Sequence, residues 1–449
     1  MAMWNEMTLQ EVGRADRLDA EHFRPDYVRN ENLVCAWPTR LLSNVATSIA
    51  RGMQPQYDEG GHVPVLRTVN VQNGHITETR QEFVAAEFWA KNPRAQVRQG
   101  DVLITSTGVG TLGRVTYNPH ATPFFADGHI TIVRGVHDYD PQFIALFLQS
   151  SVGLALIERR YRGSSGQIEI YPDDIGSIPI PKLGENVEVE IVELCRQSQH
   201  QRACSLELYA EAEALLLDAL GLNNLSATHA IAYERNFEEV ALAGRFDAQY
   251  YHPEKYEVLE ALKPMSGESV GELFKSINHI VDAEDEFASE VQNYDLTDAL
   301  QFFLPDIAPI PTAELGSNKK RFRRGDVVVS RLRSYLKEIA LVEATSPACV
   351  GSTEFFVLRP SSERVSSELL LVYLRSEPVQ KILRWCQDGS QHPRFKENEL
   401  LSIKLPDRLL TVQDGVIAKV REAIQTFYDA QALLENAKRR VEKLIEGGG

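Results

Sequence analysis

The stretch Arg17-Leu18-Asp19-Ala20-Glu21-His22-Phe23-Arg24-Pro25 occurs twice in this chain, because Arg245-Phe246-Asp247-Ala248-Gln249-Tyr250-Tyr251-His252-Pro253 repeats its pattern about 228 positions later. Three further blocks recur in the same order: Gln99-Gly100-Asp101-Val102-Leu103 with Arg324-Gly325-Asp326-Val327-Val328, Gly163-Ser164 with Gly389-Ser390, and Ile178-Pro179-Ile180-Pro181 with Ile403-Lys404-Leu405-Pro406. A nearly constant offset indicates one duplicated unit and not a short-period repeat. Such a chain can build a pseudo-twofold object, which suits a target that also has two halves.

Length and composition indicate a multidomain soluble protein. The chain has 449 residues, of which 43% are hydrophobic and 24% charged, and this length exceeds what one hydrophobic core normally supports. No apolar run is long enough to cross a bilayer, and the N-terminal segment lacks the pattern of a secretory signal. We therefore expect a cytoplasmic location and no membrane association.

Motifs for catalysis or metal binding do not occur in the sequence. The five cysteines form no Cys-x-x-Cys pair and no histidine pair has zinc spacing. There is no phosphate-binding Gly-x-x-x-x-Gly-Lys-Ser/Thr loop, no Gly-x-Ser-x-Gly elbow and no Asn/Asp-Pro-Pro-Tyr/Phe methyltransferase tetrapeptide. We expect no catalytic residue, no metal and no cofactor.

Two local patterns have simpler explanations than an active site. The glycines of Gly108–Gly113 match a dinucleotide-binding fingerprint, but Arg114–Pro119 continues as a strand and not as a helix, so we interpret them as a hairpin loop. The acids of Pro172-Asp173-Asp174 are better explained by a helix N-terminus than by a metal site, because the second copy does not repeat them.

Each copy follows the same order of predicted elements. After the lead-in come short β-type runs such as Val63–Val69, Asp101–Thr105 and His129–Val133, then a helical piece at Phe143–Arg159 or Glu368–Trp385. A polar loop, an Ile-Pro or Leu-Pro run and a long helix complete the copy. This order predicts an α/β (α+β) fold with two mixed α/β domains.

The long helices carry coiled-coil seams in steps of four and three. The second is marked by Val416, Val420, Ala423, Phe427, Ala430, Leu434, Ala437, Val441 and Leu444, and the first by Ile191, Cys195, Ser198, Arg202, Ser205, Tyr209, Ala212, Leu216 and Ala219. Because neither stripe can remain exposed, we expect each helix to pack against the other, antiparallel. The alternative is a dimerisation arm unrelated to the two modules.

These patterns predict six segments. They are a lead-in at 1–30, a first recognition domain at 31–183, a central helix at 184–225, a linker with the repeated lead-in at 226–258, a second recognition domain at 259–407 and a C-terminal helix at 408–449.

Charge is distributed unevenly along this acidic chain, whose net charge is −16. Acids crowd the region from Tyr233 to Asp298, and a basic stretch follows, comprising Lys319, Lys320, Arg321, Arg323, Arg324, Arg331, Arg333 and Lys337. A local basic patch can bind phosphates despite the net charge, since salt screens exposed charges beyond about 8 Å. We expect the first five residues to contact phosphates and Arg331 or Arg333 to lie nearer base edges; a solvated charged face is the alternative.

Basic and amide side chains are concentrated where the two copies diverge, as expected of one frame with two reading surfaces. Arginine can pair bidentately with guanine, and glutamine or asparagine with adenine. Polar surface loops without a ligand are the alternative explanation. The candidate DNA-binding residues are Arg51, Gln54, Arg67, Thr107, Arg159, Arg160, Arg162, Ser164, Gln167, Lys319, Lys320, Arg323, Arg324, Arg331, Arg333, Lys337, Ser390, Gln391, Arg394 and Lys396.

The repeated lead-ins, the Gly-Asp blocks, the Gly-Ser loops and the long helices together resemble the specificity subunit of a type I restriction–modification system. The resemblance implies two target-recognition domains that bind the halves of a split double-stranded DNA sequence. It also implies an antiparallel coiled-coil spacer that docks two adenine methyltransferase subunits, with motor-nuclease subunits in the larger complex. The family is not catalytic by itself. The alternative is a DNA-binding scaffold or decoy of another methylation-based defence system.

Overall fold

The computed structural model describes residues 5–15, 17–77, 81–108, 110–163, 168–223, 232–282 and 287–447, with only the backbone of 11, 14 and 15. The chain divides into two compact units: unit 1 comprises Met1–Ala203 with Phe427–Gly449, and unit 2 comprises Cys204–Thr426. Each unit combines helices with mixed sheets, so the predicted α/β class is confirmed. Both unit boundaries fall inside the long helices, and the six predicted segments stay a prediction.

The helices of the described residues are short except for two. In chain order they are α1 (Leu9–Ala15), α2 (Pro25–Cys35), α3 (Leu42–Val45), α4 (Ala86–Lys91), α5 (Pro141–Gln149), α6 (Ser151–Glu158), α7 (Pro172–Gly176), α8 (Glu185–Leu220), α9 (Phe237–Ala243), α10 (Pro253–Leu262), α11 (Val270–Leu273), α12 (Ser367–Arg375), α13 (Glu377–Trp385), α14 (Glu397–Leu401) and α15 (Gln413–Gly447).

Each unit contains twelve strands among the described residues. Unit 1 contains β1 (Thr39–Leu41), β2 (Ser48–Arg51), β3 (Val63–Leu66), β4 (Val71–Gln72), β5 (His75–Ile76), β6 (Glu82–Val84), β7 (Gln96–Val97), β8 (Val102–Thr105), β9 (Val115–Tyr117), β10 (Phe124–Ala126), β11 (Ile130–Arg134) and β12 (Pro179–Pro181). Unit 2 contains β13 (Gly267–Ser269), β14 (Phe274–Ser276), β15 (Ile280–Val281), β16 (Glu290–Tyr294), β17 (Phe303–Leu304), β18 (Ile310–Pro311), β19 (Lys319–Phe322), β20 (Val327–Ser330), β21 (Ile339–Val342), β22 (Cys349–Ser352), β23 (Phe355–Pro360) and β24 (Lys404–Pro406).

Sheet topology repeats between the units. The order β2-β11-β8-β9 in unit 1 corresponds to β14-β23-β20-β21 in unit 2, where β17 is added at the edge. A second sheet joins one parallel pair, β3 with β10 or β16 with β22, to an antiparallel neighbour, β7 or β19. The Ile-Pro and Leu-Pro runs form β12 and β24, which pair with β1 and β13 at the start of each module. The predicted strands around 63–66, 102–105 and 130–133 are confirmed.

The repeated Gly-Asp motif builds a buried ion pair in each unit. Asp101 accepts from Arg134 Nη2 at 2.7 Å, and Asp326 accepts from Arg359 Nε at 2.7 Å. Both carboxylates are buried, and each also accepts a backbone N–H three residues earlier. The glycine before each aspartate has a left-handed φ, 90° and 88°, that favours glycine at this turn. The motif is therefore part of the scaffold.

The repeated lead-in motif docks onto the end of the helical piece. Arg17 pairs with Asp19 and donates to the Tyr161 carbonyl at 2.7 Å. Arg245 pairs with Asp247 in the same way, and its Nη2 donates to the Gln387 carbonyl at 3.2 Å. This motif too is retained for a structural reason.

The predicted helical piece is helical in each unit, and the structure divides it into two helices. Ser150 ends α5 with an extended backbone, donates to the Phe147 carbonyl at 2.6 Å and caps α6. Ser376 interrupts the second copy between α12 and α13 and donates to the Tyr373 carbonyl at 2.6 Å. Among the described residues no single helix is long and apolar enough to span a membrane, although the bent pair α5–α6 has that length and composition when taken together.

The long helices pack against each other in both units, with antiparallel pairing. In unit 1 Ser198 Oγ donates to the Ala430 carbonyl at 2.7 Å, and Arg440 pairs with Glu190. In unit 2 Ser205 Oγ donates to the Ala423 carbonyl at 2.7 Å, and Lys419 pairs with Glu211. The predicted seam is confirmed, because seven of its nine positions on α15 are buried, at 416, 420, 423, 427, 430, 437 and 441.

One seam position of α8 has an unusual environment. Arg202 stacks over the ring of Phe427, with its guanidinium carbon 4.9 Å from the ring centre, and its Nη2 lies 2.8 Å from His75 Nε2. Burial, and then the charge of Arg202, lower the pKa of His75 to about 3, so the imidazole is neutral and accepts from the arginine. The hairpin of β4 and β5 is thereby attached to the seam of unit 1.

Candidate nucleic-acid interface

A ladder of backbone hydrogen bonds joins the ends of two central strands of unit 1 to the polar loop before β12. Ser106 N–H donates to the His129 carbonyl at 2.7 Å, and Ile170 N–H donates to the Ser106 carbonyl at 3.0 Å. Arg162 and Glu169 exchange two backbone hydrogen bonds of 2.8 and 2.9 Å. We call the part of the molecule formed by residues 106, 107, 129, 162 and 169 the polar edge of unit 1.

Unit 2 repeats every bond of this ladder. Arg331 N–H donates to the Glu354 carbonyl at 3.1 Å, and Phe395 N–H donates to the Arg331 carbonyl at 3.1 Å. Asp388 and Arg394 exchange bonds of 2.8 and 2.9 Å. We call residues 331, 332, 354, 388 and 394 the polar edge of unit 2.

The two polar edges have the same backbone hydrogen bonds, but no residue type is the same at the five corresponding positions. At two of them the charge is reversed, since Asp388 corresponds to Arg162 and Arg394 corresponds to Glu169. The frame therefore tolerates different chemistry at this edge. The corresponding residues are Ser106 and Arg331, Thr107 and Leu332, His129 and Glu354, Arg162 and Asp388, and Glu169 and Arg394.

In unit 1 the charged side chains of the edge pair with residues that lie next to the edge. Arg51 Nη2 donates to Glu169 Oε2 at 2.9 Å, and its guanidinium lies over the ring of Tyr171. A hydrogen bond from Tyr171 is the main cause that lowers the pKa of Glu169, and the hydrogen bond from Arg51 adds to it. Thr107 Oγ1 lies 2.6 Å from His129 Nδ1, so a hydrogen-bonded pair occupies the strand ends.

Arg162 is also engaged in unit 1, with the helix that the acids at 173 and 174 were predicted to begin. Its Nε and Nη2 donate to both oxygens of Asp174 at 2.8 and 2.7 Å, and the side chain stays 45% exposed. The acids lie in the first turn of α7, which confirms the helix interpretation. In the described part of the chain, no cluster of three or more His, Cys, Asp or Glu side chains could hold a metal ion.

In unit 2 one carboxylate organises two arginines. Glu354 Oε2 accepts from Arg331 Nε at 2.6 Å and from Arg394 Nε at 3.1 Å, and its Oε1 accepts from Arg394 Nη2 at 3.1 Å. Hydrogen bonds from Arg331 first, and from Arg394 second, lower the pKa of Glu354 to about 2. Two cations share one anion here, so this group of three keeps a net positive charge.

The loop that follows β20 places cationic residues in strained backbone conformations. Arg333 and Lys337 have φ angles of 44° and 53°, in the left-handed region that costs a non-glycine residue about 1 to 2 kcal/mol. Arg333 Nη2 lies 3.1 Å from His392 Nδ1 on the polar loop. The corresponding loop of unit 1 is the predicted hairpin between β8 and β9, in which Gly108, Gly110 and Gly113 take the positive φ angles without that cost.

Two predicted DNA-binding arginines are interior residues of unit 1. Arg160 is 5% exposed and donates to Glu31 and to Ser177, and Arg159 donates to Glu31 and to the His22 carbonyl. Burial raises the pKa of Glu31, but the charge and hydrogen bonds of Arg160 outweigh it and hold that pKa below its ordinary value. These arginines neutralise a buried carboxylate, so their assignment to a DNA-facing surface is wrong.

The basic stretch of 319–337 does not form one patch. Arg323 and Arg324 lie at the turn between β19 and β20, where Arg324 pairs with Glu343 at 2.7 Å. Lys320 lies at the opposite end of these strands and donates to the Phe355 carbonyl at 2.8 Å, beside the polar edge. Lys319 is buried. The polar edge of unit 2 therefore gathers only part of the predicted basic surface.

The remaining candidates divide between the edges and their surroundings. Gln54 is exposed, and Arg67 lies 3.8 Å from Glu82 near the end of β3. Lys337 lies 3.8 Å from Glu377. Ser390, Gln391 and Lys396 are exposed on or just after the polar loop of unit 2, whereas Ser164 and Gln167 lie outside the described residues.

Sequence reasoning missed Glu354 and His129, which occupy the same place in the two units. Each precedes a central strand, β23 or β11, and each is about 225 positions from the other. The signal was present in the repeat offset, but neither residue belongs to a repeated motif.

No protein-family model matches this chain, and no curated protein matches it. Among the solved structures similar to it are S subunits of type I restriction–modification systems, the family that its motifs resemble, and the type IIG restriction endonuclease BpuSI, which matches over 43% of this chain at 12% identity with a TM-score of 0.29. One is the S subunit from M. genitalium, with 13% identity, a TM-score of 0.38 and coverage of 91% of this chain and 96% of that chain. Another is the HsdS subunit from Thermoanaerobacter tengcongensis, with 14% identity, a TM-score of 0.29 and coverage of 92% and 97%.

A third similar chain comes from a structure that addresses complex assembly and conformational transition of the type I R-M system. It is 14% identical, with a TM-score of 0.29 and coverage of 92% of this chain and 98% of that chain. Because all of these TM-scores are below 0.5, we base the functional proposal on the residues of this chain.

Proposed function

We propose that this chain is the sequence-specific DNA-binding subunit of a type I restriction–modification complex, with each unit recognising one half of a bipartite target. The observation that carries the proposal is the pair of polar edges, in which one hydrogen-bond ladder presents five different side chains in each unit. A common enzyme site would retain its reactive groups in both copies. Recognition of two different sequences needs instead a constant frame with variable donors and acceptors.

The chemistry of the edges supports DNA as the ligand. Arginine, histidine, threonine and glutamine side chains can all pair with base edges or phosphates. At the edge of unit 2 the arginines 331 and 394 balance the acids 354 and 388, and the adjacent Arg333 adds a positive charge, although the chain as a whole carries −16. The acids elsewhere are then available to protein partners. In this proposal the chain has no catalytic residue, and other subunits supply methylation and cleavage.

Two exposed apolar positions support docking of two identical partners. Leu18 and Phe246 occupy the same position of the repeated lead-in and are 90% and 78% exposed. Leu9 and Phe237 also correspond and are 91% and 74% exposed, on short helices that are marginal by themselves. Exposed acids at 238 and 239 disfavour DNA at this surface. Two adenine methyltransferase subunits, one for each lead-in, fit this repetition, and motor-nuclease subunits would join the larger complex.

Exchange of one recognition module tests whether each unit recognises its own half of the target. Residues 259–407 would be replaced by the corresponding segment of a related subunit with a different target, and methylated adenines would be mapped across the genome of a host that also carries the methyltransferase. We expect one half of the methylated motif to change and the other to remain. A change in both halves, or in neither, would contradict the proposal.

Single substitutions at the lead-ins test the partner docking separately. We expect Leu18→Asp and Phe246→Asp each to reduce the bound methyltransferase from two subunits to one, measured by the mass of the purified complex. Leu41→Asp, at an exposed position of β1 outside the long helices, is the control. Retention of two subunits by the Leu18→Asp/Phe246→Asp double variant would exclude the lead-ins as docking surfaces.

A further inference from the structure

Arg331 presents an unused pair of donors at the polar edge of unit 2. Its Nε is bound to Glu354, while its two terminal nitrogens make no hydrogen bond to the described residues. The side chain is 40% exposed, so those nitrogens can reach a ligand. Arg331 can therefore present both terminal nitrogens side by side to a ligand, while the bond from its Nε to Glu354 holds the orientation of the guanidinium.

Arg394 differs from Arg331, because each of its nitrogens is already engaged. Its Nε and Nη2 bind the two oxygens of Glu354, and its Nη1 donates to the His392 carbonyl at 3.2 Å. Arg394 is also held by the backbone pairing with Asp388. Its geometry fits a buttress that fixes Glu354 and not a residue that contacts the ligand itself.

We propose that Arg331 binds the acceptor edge of a guanine in the second half-site, and that Glu354, fixed by Arg394, is the positioning residue that aims it. This inference rests on the proposed function and names the chemistry of one contact within it. Guanine presents two acceptors, O6 and N7, in the major groove, which match a guanidinium fork. A flexible arginine loses side-chain entropy when it binds, and a carboxylate that holds it beforehand removes part of that cost.

The comparison of the two units favours a base over a phosphate as the ligand of Arg331. Phosphates are the same in both half-sites, so a phosphate contact would favour a cation at the corresponding position of unit 1. That position is Ser106, which is buried and hydrogen-bonded to Thr131. Glu354 is likewise replaced by His129, so the arginine and its clamp occur together in one unit and are both missing from the other. Such paired divergence suits recognition of one particular base.

Backbone strain in the loop that follows β20 also supports a binding role for this end of unit 2. Arg333 keeps a left-handed backbone at a position where unit 1 has Gly108. Strain of this kind persists where the side chain has a use that outweighs its cost. Arg333 also reaches His392 on the polar loop, with its Nη2 3.1 Å from the imidazole Nδ1.

The test uses the purified full-length chain and selection from a library of random duplexes, so that the protein itself picks its target sequence. Binding constants would then be measured for the selected motif and for duplexes altered at each position of the second half-site. We expect Arg331→Ala to lower the preference for one G·C pair about 5- to 140-fold and to leave the other positions unchanged. Arg331→Lys should keep the salt dependence of binding but lose the same preference, because ammonium cannot form the fork.

Variants of Glu354 separate positioning from a general structural effect. Glu354→Gln keeps the side-chain shape and should weaken the preference at the same base pair as Arg331→Ala, by a smaller factor. In the Arg331→Ala background, Glu354→Gln should add less than about a twofold change, since residues that act through one another are not additive. Glu343→Gln is the matched control, because it breaks the Arg324 ion pair at the other end of the same strands.

The outcomes distinguish this inference from the proposed function. Failure of the wild-type chain to select any motif would contradict the proposed function itself. Selection of a motif by the wild type, with no loss of preference at any single position in Arg331→Ala, would overturn only the guanine contact. Uniform weakening on all sequences with a flatter salt slope would reassign Arg331 to a phosphate. An additional loss from Glu354→Gln in the absence of Arg331 would remove the positioning role.

Discussion

The polar edges of units 1 and 2 have the same hydrogen-bond ladder and different chemistry. In unit 1 the strand ends carry a hydrogen-bonded Thr107–His129 pair, whereas unit 2 carries two arginines around Glu354. The ladder is made by backbone groups, which every residue type supplies. Side chains at the edge are therefore free to vary without loss of the frame, and this is how one fold can serve two recognition tasks.

The scaffold shows the opposite behaviour, because its repeated groups are buried side chains. Asp101 with Arg134 in unit 1 and Asp326 with Arg359 in unit 2 occupy the same place and make the same bonds. A buried charge without its partner is costly, so such a pair cannot change one member at a time. The same ion pair is thus kept in both units, whereas the side chains of the polar edges diverge.

The largest expected effect comes from the Gly-Asp scaffold. Asp101→Ala and Asp326→Ala should each reduce the free energy of unfolding of their own unit by about 3 to 5 kcal/mol, since each leaves an arginine without its carboxylate. Urea denaturation followed by hydrogen exchange of the β8 and β20 amides measures the two units separately. Arg40→Ala, which breaks an exposed pair with Asp138, is the control and should cost under about 1 kcal/mol. A large loss of stability for only one of the two variants would contradict the structural equivalence of the two ion pairs.

The helix seam should respond nearly as strongly in both units. The seam positions Ile191 of unit 1 and Leu216 of unit 2, both on α8, are fully buried, and truncation of either to alanine should cost about 2 to 5 kcal/mol. The measurement is the urea dependence of helix content by circular dichroism. Leu206→Ala on the same helix, where the side chain is 59% exposed, should have little effect. Equal stability of Leu216→Ala and Leu206→Ala would contradict the seam in unit 2.

Smaller changes are expected from the serines that bridge the seam. Ser198→Ala in unit 1 and Ser205→Ala in unit 2 each remove one hydrogen bond to a backbone carbonyl, worth about 0.5 to 1.5 kcal/mol. The better helix propensity of alanine offsets part of this loss. Thermal unfolding of both variants should therefore show small and similar decreases in Tm. An increase in Tm for either variant would show that its hydrogen bond does not stabilise the seam.

The smallest expected effect is a pH dependence of stability at the polar edge of unit 2. Glu354 has a pKa of about 2 in the folded chain against an ordinary value of 4.5, so its contribution to stability is present above about pH 4.5 and is lost as pH falls towards 2. Glu354→Gln should be less stable than the wild type at pH 6, with the difference shrinking as pH falls. Urea denaturation between pH 3 and 6 measures this. A difference that is constant with pH would exclude the ion pairs as its source.

The sequence by itself determined much of the architecture. Steps of four and three positions along α8 and α15 predicted a buried seam, and the repeat offset predicted two modules with the same order of elements. Alternating apolar residues located β3, β8 and β11, and the strand-like continuation after Gly113 predicted a hairpin. These properties are local, because helix and strand periods record which face of an element is buried.

Only the tertiary structure decided the partners of the charged residues. The sequence predicts Arg160 as a surface residue. In the folded chain Arg160 is buried in unit 1 and forms an ion pair with Glu31, which is distant in the sequence. The basic stretch of unit 2 was divided between two ends of the same strands by the turn at Gly325, and Glu354 joined Arg331 and Arg394 from a third segment. A charge acts on what lies within a few ångströms, and for residues this distant in the chain that neighbourhood is set by folding and not by sequence spacing.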